Sequence, residues 1–362
     1  MSDSAAKHHN LVSVSGGKDS TATILVAVER DAPNLSGVFC DTGNEHSLTY
    51  EYIDYLRDAL GIQIKTLRQD FTEWWWYRRD YVRDKWPDKL RKGRQGHWNW
   101  TGERADRPEE TPLPPALVFE KTADGLWKWS PAIAPMPGDA ADELTGRVVE
   151  FMNRGPTGNP FLDLCIIKSR FPSRKAQFCT QFLKTEPATE YALELMADGS
   201  TLTSWQGIRA EESPGLAAQP EREDRGGGYS ILRPIHKWTV EQVFDIHRKH
   251  GIKPNPLYLQ GMSRVGCMPC INASKDDILE ISKRFPEHVD RIEEWERLVG
   301  LVSKRDYATF FPAPGDNIGA WDRGNIRAIV QWSKTQHGGR KADLFRSFDE
   351  SPQCASSYGL CE

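Results

Sequence analysis

Six residues, Ser15-Gly16-Gly17-Lys18-Asp19-Ser20, sit between a short apolar run and an amphipathic one, and they restrict this chain more than any other segment. Residues 11–14 read as a strand and residues 21–29 as a helix, so the glycine pair falls in the turn joining them. Two glycines let the backbone turn sharply and bring N–H groups close to an anion. The helix that follows adds its positive N-terminal end. Lys18 supplies a full charge, Asp19 either orients Lys18 or holds Mg²⁺, and Ser15 and Ser20 offer hydroxyl donors. A glycine pair alone would read as an ordinary turn with a capping Asp or Ser. Six specified residues between a strand and a helix favour a phosphate cradle.

The same alternation continues. Residues 37–40 form a second apolar strand, 47–60 a second helix and 62–67 a third strand. Strands separated by helices imply βαβ units and a doubly wound, mainly parallel sheet. Such sheets bind ligands at the carboxyl ends of their strands, where residues 15–20 and 41–44 fall. From residue 71 to 160 the pattern breaks into a stretch rich in Trp, Arg, Pro and Gly, read as an insertion or separate lobe. It resumes at 201–205 and 230–232, with a helix from 239 to 250, and beyond 276 turns mainly helical. The organisation expected is an α/β domain over 1–70 and 161–275, an insertion over 71–160, and a helical region with a cysteine-bearing tail over 276–362.

At 362 residues and a net charge of -4, the molecule as a whole is not a basic nucleic-acid binder, so any such surface must be local. No stretch approaches the ~20 apolar residues of a membrane span. The first ten residues are polar and lack the apolar core of a secretory signal, so a cytoplasmic location is expected. Seven cysteines, an odd number in a chain this long, point to metal or redox work rather than a disulfide scaffold.

The phosphate loop is not the Gly-x-x-x-x-Gly-Lys-Ser/Thr cradle, which is absent from the chain. It resembles the PP-loop of N-type ATP pyrophosphatases, which cleave ATP between the α- and β-phosphates. Cys40-Asp41-Thr42-Gly43-Asn44-Glu45 looks like the Asp-Thr-Gly motif of the phosphoadenosine-phosphosulfate reductase branch. Residues 205–213, Trp-Gln-Gly-Ile-Arg-Ala-Glu-Glu-Ser, are similar to its Gly-x-Arg-x-x-Glu-Ser segment, and Arg233-Pro234-Ile235, Trp238 and Asn255-Pro256-Leu257-Tyr258 continue it. The matching segments run from residue 11 to 270, interrupted by the Trp-rich stretch. The resemblance implies an adenine nucleotide at the sheet's carboxyl edge, held by residues 15–20 with Asp41, Thr42 and Gly43. Lys18, Asp19 and Arg209 would act in catalysis, with Asp41 near the adenosine or the metal and Arg209 on phosphate. Without the family, Asp41 reads equally as a turn cap and Arg209 as a surface cation.

Cys267-Met268-Pro269-Cys270 is a Cys-x-x-Cys pair in a turn stiffened by proline. Two thiolates at that spacing can reach one metal ion or cluster. Cys179, in Arg174-Lys175-Ala176-Gln177-Phe178-Cys179-Thr180, resembles the cluster segment of adenylylsulfate reductases, except that Thr180 stands where a second cysteine is usual. A fourth ligand must come from elsewhere, and Cys361 is preferred over Cys354 in the tail. Four thiolates suit a [4Fe-4S] cluster ahead of zinc, with free or redox thiols as the remaining reading. Cys40 and Cys165 lie in apolar runs and read as packed small hydrophobes.

Eight of the 13 tryptophans fall between Trp74 and Trp129, and residues 78–94 hold eight basic side chains against three aspartates. Cations on phosphates with rings stacked on bases would make the 74–100 region a nucleic-acid surface. A solvated helix whose tryptophans pack beneath it is the bland counterpart.

Three functions follow. The resemblance reaches the iron–sulfur ATP pyrophosphatase of DNA phosphorothioation systems, implying an enzyme that adenylylates an acceptor for sulfur transfer, with a cysteine desulfurase as donor and DNA or tRNA as acceptor. A sulfonucleotide reductase that releases sulfite is the second. Family reductases lack the Lys-Asp pair in the loop and end in Glu-Cys-Gly, whereas this chain keeps Lys18 and Asp19 and ends Gly359-Leu360-Cys361-Glu362. The third is an assembly subunit that binds ATP without cleaving it.

Overall fold

The structure is a computed structural model and describes residues 7–94, 97–100, 119–122, 125–130, 134–312 and 325–335. The chain divides into two compact units, one comprising residues 1–71 and 157–362, the other Thr72–Pro156.

The larger unit begins β1 (His8–Ser13), α1 (Lys18–Glu29), β2 (Leu35–Asp41), α2 (Ser47–Leu60), β3 (Ile64–Arg68). Strands appear where expected, β1 and β2 two and three residues longer and β3 one shorter, and α1 starts at Lys18 rather than beyond the loop. Period-two alternation explains β1: Leu11 and Val12 point to opposite faces, and each is buried in a different cluster. In α2 the buried positions Thr49, Tyr52, Ile53 and Leu56 form one stripe, and the helix stops at Gly61 in the left-handed region, φ 61°.

The second unit holds α3 (Thr72–Lys92), β4 (His97–Trp100), β5 (Phe119–Thr122), β6 (Gly125–Ser130) and α4 (Gly138–Met152). β6 pairs antiparallel with both β4 and β5. α3 buries Trp75, Val82, Trp86 and Leu90 along one stripe, and the Trp75 indole donates to Met152 O at 2.8 Å. Trp74 and Tyr77 instead stay 41% and 75% exposed. Most of the guanidiniums on α3 meet carboxylates or rings: Arg79 pairs with Asp80, Arg83 with Asp80 and Asp84, Arg91 with Asp142, and Arg78 stacks over Tyr81 and Trp86. Within one run of aromatic residues, Trp75 and Trp86 are thus buried while Trp74 and Tyr77 are exposed.

The chain then returns to the larger unit with α5 (Pro160–Lys168), α6 (Phe178–Thr180), a π-helical turn at Gln181–Thr185, α7 (Glu186–Met196), β7 (Thr201–Trp205), α8 (Pro214–Ala217), β8 (Arg222–Asp224), β9 (Tyr229–Leu232), α9 (Val240–Lys249), α10 (Lys275–Arg284), α11 (Pro286–Leu301) and α12 (Ile326–Ser333). The helices between 160 and 196 have no counterpart in the sequence reading. α5 is buried almost throughout, so it lacks the one-sided periodicity that marks a surface helix.

The six-stranded sheet runs β3-β2-β1-β7-β9-β8, all parallel except β8. α1, α2 and α9 cover one face through Ile24, Leu25, Ile53, Leu56, Val243 and Ile246, while α7 packs on the other through Ala192 against Leu11, Val38 and Leu202. The sheet is therefore doubly wound. Strand order reverses between β1 and β7, the point where an open α/β sheet has a crevice outside its carboxyl ends. Among the described residues no helix is long and apolar enough to cross a membrane.

Candidate nucleotide and cysteine site

The loop after β1 turns through Gly16 at φ 75°, and Gly17 caps α1 without any side-chain cap. A 12-residue helix thus directs its N-terminal end into the crevice. The two serines tie the loop to itself: exposed Ser15 donates from Oγ to Ser20 Oγ at 3.2 Å, and buried Ser20 from Oγ to Gly17 O at 3.0 Å. Tyr258 Oη accepts from Lys18 N–H at 2.9 Å, and Asn255 Nδ2 donates to Gly16 O at 3.2 Å. The Asn-Pro-Leu-Tyr segment therefore braces the loop from behind, a role its position in the motif does not disclose.

Of the two roles left open for Asp19, the structure shows the first. Its Oδ2 accepts from Lys18 Nζ at 2.8 Å and its Oδ1 from Arg209 Nε at 2.6 Å. Arg209 is 4% exposed rather than a surface cation, and it also donates to Glu211 at 2.6 Å. The segment after β7 approaches so closely that a Cβ on Gly207 would lie 2.7 Å from Asp19 O. Both cations of the expected catalytic set thus converge on one carboxylate at the switch point.

Asp41 closes an Asx-type turn, its Oδ1 accepting from Gly43 N–H at 2.8 Å and from Tyr50 Oη at 2.7 Å, while Arg68 pairs with Oδ2. With Asp19 and Asp41 both engaged, these carboxylates do not fit a protein-held Mg²⁺ as they stand; Mg²⁺ is ordinarily bound through substrate phosphates as well.

Thr42, Asn44 and Glu45 continue directly into the cysteine turn. Met268 N–H donates to Asn44 O at 2.7 Å, Asn44 Nδ2 to Pro269 O at 3.0 Å, and Cys267 forms a bridge with Glu45. The Cys267 thiol lies 3.4 Å from Thr42 Oγ1 and donates to Glu45 Oε1 at 3.5 Å. Val265 O comes within 3.5 Å of where a Gly17 Cβ would be. One segment, 255–270, therefore touches both the phosphate loop and the Asp-Thr-Gly loop.

Cys179, Cys267 and Cys270 gather around Lys184, whose ammonium is held above its ordinary range, first by Cys267. Burial pushes the Cys267 thiol up to about 12, with Lys184 opposing, and burial likewise raises Cys179. A thiol held neutral this way ionises when a metal replaces its proton, so the donor set fits a soft metal centre. Cys354 and Cys361 lie outside the described residues. Cys165 is fully buried, and Cys40 is half-buried with its thiol donating to Lys184 O at 3.5 Å.

Among the described residues one further group has metal-ligand chemistry, His46, Glu287 and His288. His46 Nδ1 accepts the Leu48 N–H that caps α2, which leaves its proton on Nε2, and Arg291 Nη2 sits 2.8 Å from His288 Nδ1. Burial lowers both histidines, His288 to about 4. A blocked lone pair, a neighbouring guanidinium and a helix N-terminus all disfavour a cation, so the stacked imidazoles, 5.1 Å apart, serve as the seat of the cysteine turn.

Glu45, Lys184 and Arg291 were not singled out from sequence. Glu45 ends a quoted motif, but nothing local to Lys184 or Arg291 marks either residue.

Residues 9–133 and 165–273 match the family model described as the phosphoadenosine phosphosulfate reductase domain. The chain is 40% identical to an uncharacterized 37.8 kDa protein of the gpa 5' region of Escherichia phage 186, over 98% of this chain and 96% of that protein. It is 34% identical over 103 residues to an adenosine 5'-phosphosulfate reductase of Allochromatium vinosum, a match spanning 28% of this chain and 37% of that enzyme. In structure it aligns to phosphoadenylyl-sulfate reductase from Candida auris, in a phosphate complex, with TM-score 0.34 and 14% identity over 74% of this chain and 84% of that one.

Proposed function

This chain belongs to the phosphoadenosine phosphosulfate reductase domain family, and from that premise we propose that it is an ATP pyrophosphatase that adenylylates an acceptor for sulfur transfer. The observation that carries the reading is the pairing of Lys18 and Arg209 on Asp19 beside the open N-terminus of α1. Two cations and a helix end are suited to a polyphosphate. An acceptor oxygen attacks the α-phosphorus, the bond to the β-phosphate breaks, and pyrophosphate leaves with the electron pair. Lys18 and Arg209 offset the negative charge developing on the departing group. The terminal sulfur of a persulfide from a cysteine desulfurase then displaces AMP from the acceptor, and a reducing thiol attacks the inner sulfur, releasing the thiolated acceptor and forming a disulfide. Cys179, Cys267, Cys270 and a tail cysteine would hold a [4Fe-4S] cluster, which supplies sulfur-binding and one-electron chemistry when bound. The acceptor proposed is a nucleic acid, with a DNA backbone phosphate as in phosphorothioation first in order and tRNA second.

The second reading, sulfite release from an adenylylated sulfate, is favoured by the reductase relatives and by the thiols lying next to the nucleotide loops. Anaerobically purified protein incubated with ATP or with adenylylated sulfate separates the two. Pyrophosphate from ATP supports the first reading and sulfite the second, while ATP binding with neither product points to an assembly subunit.

A further inference from the structure

The geometry points to Arg291 as a positioning residue that locks the Cys267–Cys270 turn onto the Asp-Thr-Gly loop, an inference that deepens the cysteine-site reading above. Arg291 lies on α11, in the helical region beyond every motif of the nucleotide site. Its Nη2 donates to Met268 O at 2.7 Å and to Asn44 Oδ1 at 2.8 Å, so one nitrogen spans both loops. The guanidinium rests on the Trp295 ring at 5.1 Å, which fixes its plane. Asn44 is fully buried, and its amide is oriented by this arrangement, with Oδ1 toward the guanidinium and Nδ2 toward Pro269 O. Charge-assisted bonds to a buried carbonyl and a buried amide are among the stronger polar contacts available. The other contacts between the loops are neutral backbone and amide bonds and a long thiol bond. Removing the guanidinium leaves Asn44 Oδ1 short of a donor in a buried junction and leaves Met268 O to His288 Nδ1 alone, 3.0 Å away, so the charged tie between turn and loop is lost.

The test reads each thiol separately. Full-length Arg291→Gln, Arg291→Lys and wild-type protein, reduced and metal-free, are pulsed with iodoacetamide at fixed pH, and the rate at each cysteine is read by peptide mass spectrometry. Loss of the lock makes Cys267 and Cys270 react at least fivefold faster in Arg291→Gln, with the fully buried Cys165 unchanged and Arg291→Lys restoring at least half of the difference. Equal rates at Cys267 in Arg291→Gln and wild type overturn the proposal. So does a parallel rise at Cys165, because that marks loosening of the whole fold. Amide exchange at Asn44 and Met268 gives a second readout: faster exchange confined to these loops is expected, and unchanged exchange overturns the assignment. Neither readout involves ATP cleavage, so failure here leaves the pyrophosphatase reading standing, and failure of that reading leaves this one standing.

Discussion

Asp19 at the start of α1 and Arg209 beyond β7 meet across the switch point of the sheet, with Arg209 Nε donating to Asp19 Oδ1 at 2.6 Å. Their side chains are 15% and 5% exposed, so the contact is largely shielded from water. Lys18 holds the other carboxylate oxygen. Asp19 therefore keeps two cations close together before any anionic ligand arrives, at a spot where α1 adds a third positive element.

Removing Lys18 tests the loop directly. Lys18→Ala is expected to lower pyrophosphate release from ATP by roughly 100-fold or more, the usual scale for losing a donor that stabilises developing negative charge. Turnover close to that of the wild type would sink the proposed role.

Asp19→Ala leaves two buried cations facing each other without their shared carboxylate. Breaking a buried pair this way costs about 3 kcal/mol or more. Denaturant unfolding should show that loss, and ATP or pyrophosphate should recover part of it by supplying the missing negative charge.

Gly207→Ala sets a methyl group 2.7 Å from Asp19 O, which neither backbone can accommodate in place. Overpacking of this kind costs about 1–3 kcal/mol. Calorimetry should record a lower melting temperature and weaker ATP binding, since the displaced segment carries Arg209; binding at wild-type affinity would argue that the close approach is incidental.

Glu296 makes stability fall as pH rises. Burial pushes its carboxyl up to about 7, although it accepts from Phe310 N–H at 2.8 Å and Ile326 N–H at 2.9 Å. An acid raised above its unfolded value contributes most below that value, near 4.5, and the contribution is lost as pH climbs through about 7. The swing is about 3 kcal/mol. Urea unfolding from pH 4.5 to 7.5 should show the decline, and Glu296→Gln should flatten it.

The second unit offers a contrast between neighbouring rings. Trp75→Ala should destabilise it by about 3–5 kcal/mol, because Trp75 is fully buried. Trp74→Ala with Tyr77→Ala should leave stability nearly intact and weaken single-stranded DNA binding, measured by fluorescence anisotropy, if this helix meets the acceptor. Undiminished binding would remove these rings from the nucleic-acid reading.

Cluster content follows from the thiols. Cys267→Ser should lower iron and acid-labile sulfide in anaerobic protein, and Cys165→Ser should not. Iron-free wild-type protein would remove the cluster from the proposal.

Much of the nucleotide site was legible because its signals are local. A strand, a glycine turn and a helix end within twenty residues, and the alternation of Leu11 and Val12 reports which faces of β1 are covered. Asp41 was legible only in part: its residue type fits a ligand or a turn cap, and only the positions of Tyr50 and Arg68 show its oxygens already taken. The Trp-rich run was legible only in part, since composition cannot say which rings point inward. That depends on helical phase against α4, which buries Trp75 and Trp86 and leaves Trp74 and Tyr77 out.

Short-range pattern was thus enough for the phosphate loop, the parallel sheet and the identity of the thiols, because backbone turns and side-chain periodicity act over a few residues. Folding decided what those parts do to one another. Arg209 reaches Asp19, and Cys267 docks on Glu45, through contacts between residues about two hundred positions apart. Lys184 and Arg291 enter the site from helices whose own sequence carries no mark of it. Such contacts exist only once the sheet has closed its order at β1 and β7, because burial in the packed core, rather than any local preference of the chain, brings these groups together.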